Sequence, residues 1–282
     1  LADLWIDWLA AIQARELAKE QLGFAESSAS AVAGRRRAGD ASLLDLNAAQ
    51  ADAAEARRQF DATQAQEAKA ILRLRSRFPS LVMEPQSLSE PVELELDEAQ
   101  WRERVLAESD TLRIMQASLK RAELTAERAR ADRIPDPTVG IFTASEARRS
   151  ERIVGISVSI PLGGTYRRET MLEALKQADV ARAELERQRK EIDLATAETI
   201  NDARTALRRW KLAEQSTQMA QENAKLGQRG YGLGEGDLQS LLLLRRQSVD
   251  AAGASLSSRI EALKARNRLL IDAHLIFGLA DE

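Results

Sequence analysis

Six prolines, Pro79, Pro85, Pro91, Pro135, Pro137 and Pro161, are confined to the middle of a chain of 282 residues. Proline lacks a backbone N–H and clashes with the preceding helical turn, so long helices are restricted to the stretches 1–78, 92–134 and 162–282. Within each stretch, apolar or small residues recur three and four apart, as in Ile200, Ala203, Leu207, Trp210, Ala213, Thr217, Ala220 and Ala224. That is the stripe of an amphipathic helix. With 44% hydrophobic but only 4% aromatic residues, the composition suits helices packed side by side better than a globular enzyme core.

Glycine divides the outer stretches. Gly34 and Gly39 flank Arg35, Arg36, Arg37 and Ala38, while Gly227, Gly230, Gly232, Gly234 and Gly236 crowd a second short segment, so each stretch is predicted to be a helical hairpin with a tight tip. A helix over 165–226 would be about 90 Å long and its return over 238–277 about 60 Å, the dimensions of a rod. Adding 195 to a residue number takes Asp7 to Asp202, Leu17 to Leu212, Ala18 to Ala213, Gly39 to Gly234, Leu43 to Leu238 and Leu46 to Leu241. The shared Gly-acid-x-x-Leu tip predicts an internal repeat. By that register the first copy reads as truncated. Leu1 reads as mid-helix, with any targeting segment expected upstream.

Between the hairpins, Val92, Leu94 and Leu96 alternate with Glu93 and Glu95, which predicts a short strand or extended belt within 79–96. Asp97 with Gln100 forms a capping-box pattern, and Ser109-Asp110 offers a second start, giving helices over 98–107 and 110–133. The expected divisions are 1–78, a first helical hairpin; 79–134, belt and connecting helices; 135–164, a strand hairpin; and 165–282, a second helical hairpin.

The strand hairpin is where the period changes from 3.6 to 2. Val154, Ile156, Val158, Ile160 and Leu162 alternate with Gly155, Ser157, Ser159 and Pro161; the partner, 138–144, carries Val139 and Ile141, and 146–152 is a charged connection. A strand of about ten residues with small or polar residues opposite an apolar face is the pattern of a membrane-crossing β-strand. A hairpin packed on the helical body would show the same alternation. In lipid a lone ribbon leaves its edges unsatisfied, so the membrane reading requires further strands from an upstream repeat and from other copies.

Several function classes fall away. A net charge of −3 and three arginines at one tip give no nucleic-acid surface. Without Cys and with one His, His274, thiolate or multi-His metal centres and Cys nucleophiles are excluded, and no nucleophile–base pair or phosphate loop stands out. His274 reads as a packing or surface residue, and the four tryptophans, Trp5, Trp8, Trp101 and Trp210, as packing between helices. No cofactor and no metal site is expected.

The segments 126–141, with Ile134-Pro135-Asp136-Pro137 leading into the first strand, and 151–164, leading into the long helix, resemble the TolC-like outer-membrane efflux channel family, as do the paired tips 37–46 and 232–241. The hairpin is most similar to the CzcC-type cation-efflux branch. The resemblance covers essentially the whole chain. It implies a mainly α fold of long helical hairpins, as in a periplasmic α-barrel, with one β-hairpin contributing to a trimeric outer-membrane β-barrel. It further implies a homotrimer in the Gram-negative outer membrane, a passive exit duct partnered by a periplasmic membrane-fusion adaptor and an inner-membrane RND-type transporter, with divalent cations as one cargo.

Under the same resemblance, Gly39, Asp40, Leu43, Leu233, Gly234, Glu235 and Leu238 are adaptor-contacting tip residues. Asp45, with Ser240 and Leu243 at the matching positions of the second tip, lines the pore constriction. Val154, Ile156, Val158 and Ile160 face lipid. Each has a plainer reading, as turn chemistry, a solvated helix face or local packing. Two alternatives remain open: an exit duct for type I secretion or drugs, and a soluble coiled-coil scaffold with the strand hairpin folded back on its helices.

Overall fold

A computed structural model of the chain describes residues 1–134, 136–146, 151–160 and 164–276. Six helices and one two-stranded antiparallel sheet are described: α1 (Ala2–Ala38), α2 (Leu43–Arg77), α3 (Glu98–Glu108), α4 (Asp110–Ala131), β1 (Thr138–Glu146), β2 (Glu151–Ser159), α5 (Thr165–Leu233) and α6 (Leu238–Asp272). Among the described residues the chain is mainly α with one strand pair, as expected. Two compact units result, one of residues 1–101 with 197–282 and one of residues 102–196. None of the described helices is long and apolar enough to cross a membrane.

The first unit is built on the heptad-like stripes of its helices. At one end Ile6, Trp8, Leu9, Leu74, Leu88 and Leu263 form a core, and Trp5 meets Trp8 edge to face with ring centroids 4.9 Å apart. Midway, Leu22, Ala25 and Ala56 pack with Phe60, and at the tips Val32, Ala49, Leu238 and Leu241 close the interior. Helices α5 and α6 are tied by the buried Thr217 hydroxyl, 2.9 Å from both the Ala213 and Ala251 carbonyls, and by Ser255 Oγ donating to Glu214 at 2.7 Å. In the second unit the seam is made of alanine: Ala126, Ala174 and Ala178, with Ala122, Ala129 and Leu175 around them. Small side chains let α4 and α5 approach closely. Arg102 clamps Asp193 with a bidentate pair, and Arg182 reaches Glu123 at 3.2 Å.

Three boundaries differ from expectation. Helix α5 runs on to Leu233, absorbing Gly227, Gly230 and Gly232, since each glycine costs a helix only about 1 kcal/mol; nothing lies within 4 Å of an added Cβ at Gly230 or Gly232. At Gly227 a Cβ would lie 2.5 Å from Leu244 Cδ1, so the missing side chain admits α6. Gly34 likewise sits inside α1, which ends only at Ala38. Of the two forms expected for residues 92–96, the structure has the extended belt and not the strand: among the described residues they have no ladder partner, and the segment is held from the side, Lys211 to Glu93 at 2.6 Å and Arg259 to the Leu88 and Ser89 carbonyls. Both strands reach further into the connection than 144 and 154, Glu146 pairing with Glu151. The rest of that connection, 147–150, together with Pro135, Pro161, Leu162 and Phe277, lies outside the described residues.

The capping boxes fall where the sequence places them. Gln100 N–H donates to Asp97 Oδ1 at 2.8 Å and Asp97 N–H to Gln100 Oε1 at 3.1 Å, while Ser109 Oγ accepts from Leu112 at 3.3 Å. Trp101, directly after the first cap, is buried.

Candidate functional site: the paired tips and the strand hairpin

Both helical hairpins turn by the same chemistry. Helix α1 ends in a left-handed residue, Gly39 at φ 88°, whose N–H donates to the Arg36 carbonyl while Asp40 N–H reaches back to Arg35 at 2.8 Å. Helix α5 ends the same way at Gly234, φ 78°, with bonds to Tyr231 and, from Glu235, to Gly230 at 2.9 Å. This is a Schellman motif at each tip. The next helix starts four residues after each glycine, at Leu43 and at Leu238.

The starts of α2 and α6 carry one hydroxyl and one carboxylate each, in opposite order. At the first tip Ser42 is the N-cap: its Oγ accepts from Asp45 N–H at 3.0 Å, and Asp45 Oδ2 accepts from Ser42 N–H at 3.1 Å and from the Ser42 hydroxyl at 2.7 Å. At the second tip Asp237 is the N-cap, accepting from Ser240 N–H at 2.8 Å and from the Ser240 hydroxyl at 2.7 Å. The repeat register maps Ser42 onto Asp237 and Asp45 onto Ser240. The carboxylate of the second tip therefore stands three residues before the position that matches Asp45, at Asp237, a residue absent from the candidates read in the sequence. The signal was present, since an acid immediately before a helix start is an N-cap pattern.

Both carboxylates are held ionised. The Ser42 hydroxyl and backbone N–H, with Arg35 nearby, lower Asp45 below the usual carboxylate value, against a small opposing effect of the Asp237 charge. The Ser240 backbone N–H and hydroxyl lower Asp237 in the same way. The two tips meet where Val32 and Ala49 pack with Leu238 and Leu241, and Arg35 lies over the Tyr231 ring, 5.2 Å from its centroid.

Of the seven tip candidates, Gly39, Asp40, Leu43, Leu233, Gly234 and Glu235 are exposed. Leu238 is not: at 3% exposure it packs with Val32, Ala49 and Leu241, so it joins the two tips and has no surface left for a partner. Its position at the first turn of α6, on the face turned to α1, explains this. Ser240 and Leu243 are exposed, and Asp45 is partly so. His274 occupies the left-handed position after α6, φ 53°, with Leu275 N–H bonded to Leu270 at 2.8 Å, a third Schellman end without glycine. Among the described residues no group of three or more His, Cys, Asp or Glu could hold a metal ion.

Further along tip-ward in α6, Arg245 is half-buried. Its guanidinium carbon lies 3.1 Å from the centroid of Phe24, its Nε has no hydrogen-bond partner, and Asp52 lies close enough to feel its charge. Burial pushes the Asp52 carboxyl up and the Arg245 guanidinium down, with each one's charge opposing the shift of the other.

In the strand hairpin the register pairs Val139 with Val158, Ile141 with Ile156 and Thr143 with Val154. These form one apolar face. The other face pairs Gly140 with Ser157 and Phe142 with Gly155, where a Cβ on Gly155 would meet the Phe142 ring at 2.6 Å. Val154 and Ile156 are each 74% exposed, and Val158, Ile160, Val139 and Ile141 are exposed as well, so the chain's own elements leave the apolar face uncovered.

No protein-family model and no curated protein matches the chain. Solved structures do. The outer-membrane channel OprN superposes with a TM-score of 0.78 at 19% identity over 96% of this chain and 64% of its own. CusC, whose crystal structures concern folding and transmembrane channel formation, gives 0.77 at 16% over 96% and 66%. The open state of the Neisseria gonorrhoeae outer-membrane channel MtrE gives 0.73 at 18% over 96% and 64%. The chain thus spans about two thirds of the length of these channels, and over that span it has their fold: long α-helical hairpins with one antiparallel strand pair between them.

Proposed function

We propose that the chain is an outer-membrane channel subunit of a tripartite efflux pump, a passive exit duct and not an enzyme. Its strand hairpin contributes to a β-barrel shared by three copies, and its helices extend into the periplasm of a Gram-negative cell. The observation that carries this reading is the uncovered Val/Ile face of the hairpin. Two strands of nine residues match the roughly 9–11 needed to cross a bilayer, and six exposed β-branched side chains on one face are a poor surface for water but a good one for lipid. A soluble scaffold would have folded that face onto its own helices. The ladder edges of two strands require neighbours from other copies, which makes the assembly an oligomer.

The exposed tip residues Gly39, Asp40, Leu43, Leu233, Gly234 and Glu235 are then the surface for a periplasmic adaptor, with energy supplied by an inner-membrane RND-type transporter. For the cargo, a hydrated divalent cation is favoured by Asp45 and Asp237, two ionised carboxylates at one end of the first unit, which three copies would multiply to six on the path. Passage needs only weak binding there, so no tight metal site is expected.

The chain has no cysteine, so a single Ile156→Cys or Ser157→Cys reports one face of the hairpin at a time. Labelled with an environment-sensitive fluorophore and mixed with vesicles carrying a lipid-chain quencher, position 156 is expected to be quenched and position 157 spared. Equal accessibility of both positions to an aqueous quencher would refute the membrane reading.

A further inference from the structure

Between the belt residues 91–94 and the helices α5 and α6 lies a pocket of about 230 Å³, all of it within the first unit. Its apolar wall is made by Ala203 and Leu207 of α5, Ala262 of α6, and Pro91 and Leu94 of the belt. Four cationic side chains line the same space: Arg204, Arg208 and Lys211, which the helical period puts on one face of α5, and Arg266, one turn beyond Ala262 on α6. Glu93 is the one carboxylate among the lining residues.

The charges are unevenly matched. Lys211 is bonded to Glu93 at 2.6 Å and Arg204 to Glu98 at 3.3 Å. Arg208 donates to the Thr205 hydroxyl at 3.0 Å, and among the described residues no ion pair joins it or Arg266 to a carboxylate. Arg266 is also half-buried, so its charge is not fully solvated. Two guanidiniums around one small pocket repel each other more strongly as water is excluded, and an anion between them removes that cost. The cluster is particular to the second hairpin. The repeat register takes Arg204, Arg208, Lys211 and Arg266 to Leu9, Gln13, Glu16 and Ile71, so the common build of the two hairpins does not require it.

We infer that this pocket is a binding site for a small organic carboxylate with a ring-sized apolar body. The planar fork of an arginine matches a carboxylate through two parallel N–H···O bonds, and Arg208 and Arg266 are the two cations of the pocket not already committed to one. The body is set by the wall and the volume. An apolar cavity of about 150 Å³ holds one benzene, so the space here takes a single ring with its carboxylate, and not a peptide or a lipid chain. A bare inorganic anion would leave Leu207 and Leu94 facing water. Bound there, the ligand ties the belt to both helices. The contact is made within one copy, so the site goes beyond the channel proposal and stands independently of it.

The probe is 4-fluorobenzoate, followed by fluorine NMR of the ligand as the full chain is added in mild detergent, with protein-free detergent as the blank. One saturable site per chain is expected. The alcohol 4-fluorobenzyl alcohol keeps the ring and loses the charge, inorganic phosphate keeps a charge and loses the ring, and each should bind about tenfold more weakly or worse. Arg208→Gln combined with Arg266→Gln should weaken 4-fluorobenzoate by about tenfold or more. Arg208 is exposed and Arg266 half-buried, so these substitutions leave the buried core intact. Glu93→Gln should tighten binding by about twofold or more, because the amide still accepts from Lys211 while the competing negative charge is gone. A misfolded chain would not give that gain. Equal binding of the alcohol or of phosphate, an unchanged affinity in the double variant, or binding no tighter in Glu93→Gln would overturn the site.

Discussion

Two glycines five residues apart on the first hairpin should respond to alanine in opposite directions. Gly39 sits at φ 88° with nothing within 4 Å of an added Cβ, so the whole cost of Gly39→Ala is conformational. Placing an L-residue in the left-handed region costs roughly 1–2 kcal/mol, and the lower entropy of the unfolded alanine chain returns about 0.4–1 kcal/mol. The net expectation is a loss of about 1 kcal/mol. Gly34 is inside α1, and its Cβ also meets nothing within 4 Å, so Gly34→Ala should gain about 0.5–1 kcal/mol. Gly39→Asn should fall between wild type and Gly39→Ala, because Asn tolerates the left-handed region better. The readouts are thermal melting by circular dichroism and hydrogen exchange at Asp40, whose N–H bonds the Arg35 carbonyl; the Asp40 amide should lose protection in Gly39→Ala even if the tip frays locally before the unit melts. A Gly39→Ala chain as stable as wild type, with its Asp40 amide equally protected, would refute the Schellman account of the tip. A destabilised Gly34→Ala would show that α1 ends earlier than Ala38.

The swapped caps predict a rescue: Asp237→Ser alone should lower the melting temperature, and adding Ser240→Asp should restore it, because the pair then has the Ser42/Asp45 order; a double variant no better than the single would sink this. Asp45 and Asp237 are both lowered from 3.8, so their contribution to stability is complete above pH 3.8 and is lost as pH falls through their depressed folded values; an urea titration series from pH 5 to pH 2 on wild type and on Asp237→Asn checks this, the variant showing the shallower decline. Asp52 is raised from 3.8 by burial, so the sign is reversed: its stabilising share is present below 3.8 and lost as pH rises through the folded value. Asp52→Asn is therefore expected to be more stable than wild type at pH 7 and equal to it at pH 3, and a variant less stable at pH 7 would mean that attraction to Arg245 outweighs burial. Thr217→Val removes a buried hydroxyl that touches two carbonyls and should cost about 1 kcal/mol in urea unfolding; an unchanged midpoint would show that the α5–α6 tie is packing alone.

The helical blocks, both turns and the strand pair were legible because each rests on local chemistry: proline-free runs, left-handed glycine, hydroxyl or acid caps and two-residue alternation. The errors arose where local signals compete with packing. Gly227, Gly230 and Gly232 read as a turn, yet only Gly234 takes a positive φ among them, and Gly227 is small because Leu244 lies against it. Val92, Leu94 and Leu96 alternate in a way that fits a strand or an extended belt; the belt holds, because the segment is fixed by Lys211 and Arg259 from distant helices. Leu238 looked like a tip surface by its place after the turn; whether a residue in the first turn of a helix points inward depends on the neighbouring hairpin, which sequence spacing does not reveal. Asp237 was overlooked because the repeat was matched residue by residue, whereas the two tips keep a hydroxyl–carboxylate pair and exchange its order.

That exchange bears on what the tips can do. A cap needs one acceptor at the N-cap and one group three residues on that completes the box, and either order of Ser and Asp satisfies it. Pore chemistry, by contrast, depends on where the carboxylate stands. Asp45 stands three residues after the N-cap of α2 with its carboxylate turned back on Ser42, and Asp237 is itself the N-cap of α6 with its carboxylate on Ser240, so the two residues differ by three positions relative to the helix starts. On the channel proposal, three copies would carry these residues as two rows of three carboxylates. Two such rows attract cations along a path without the convergence of oxygen ligands that would trap one, which fits an exit duct better than a storage site. The double exchange Asp237→Ser with Ser240→Asp, which keeps the cap and moves the second carboxylate to the position matching Asp45, should therefore leave folding unchanged and alter cation conductance in planar bilayers; identical conductance would separate the tip carboxylates from ion passage altogether.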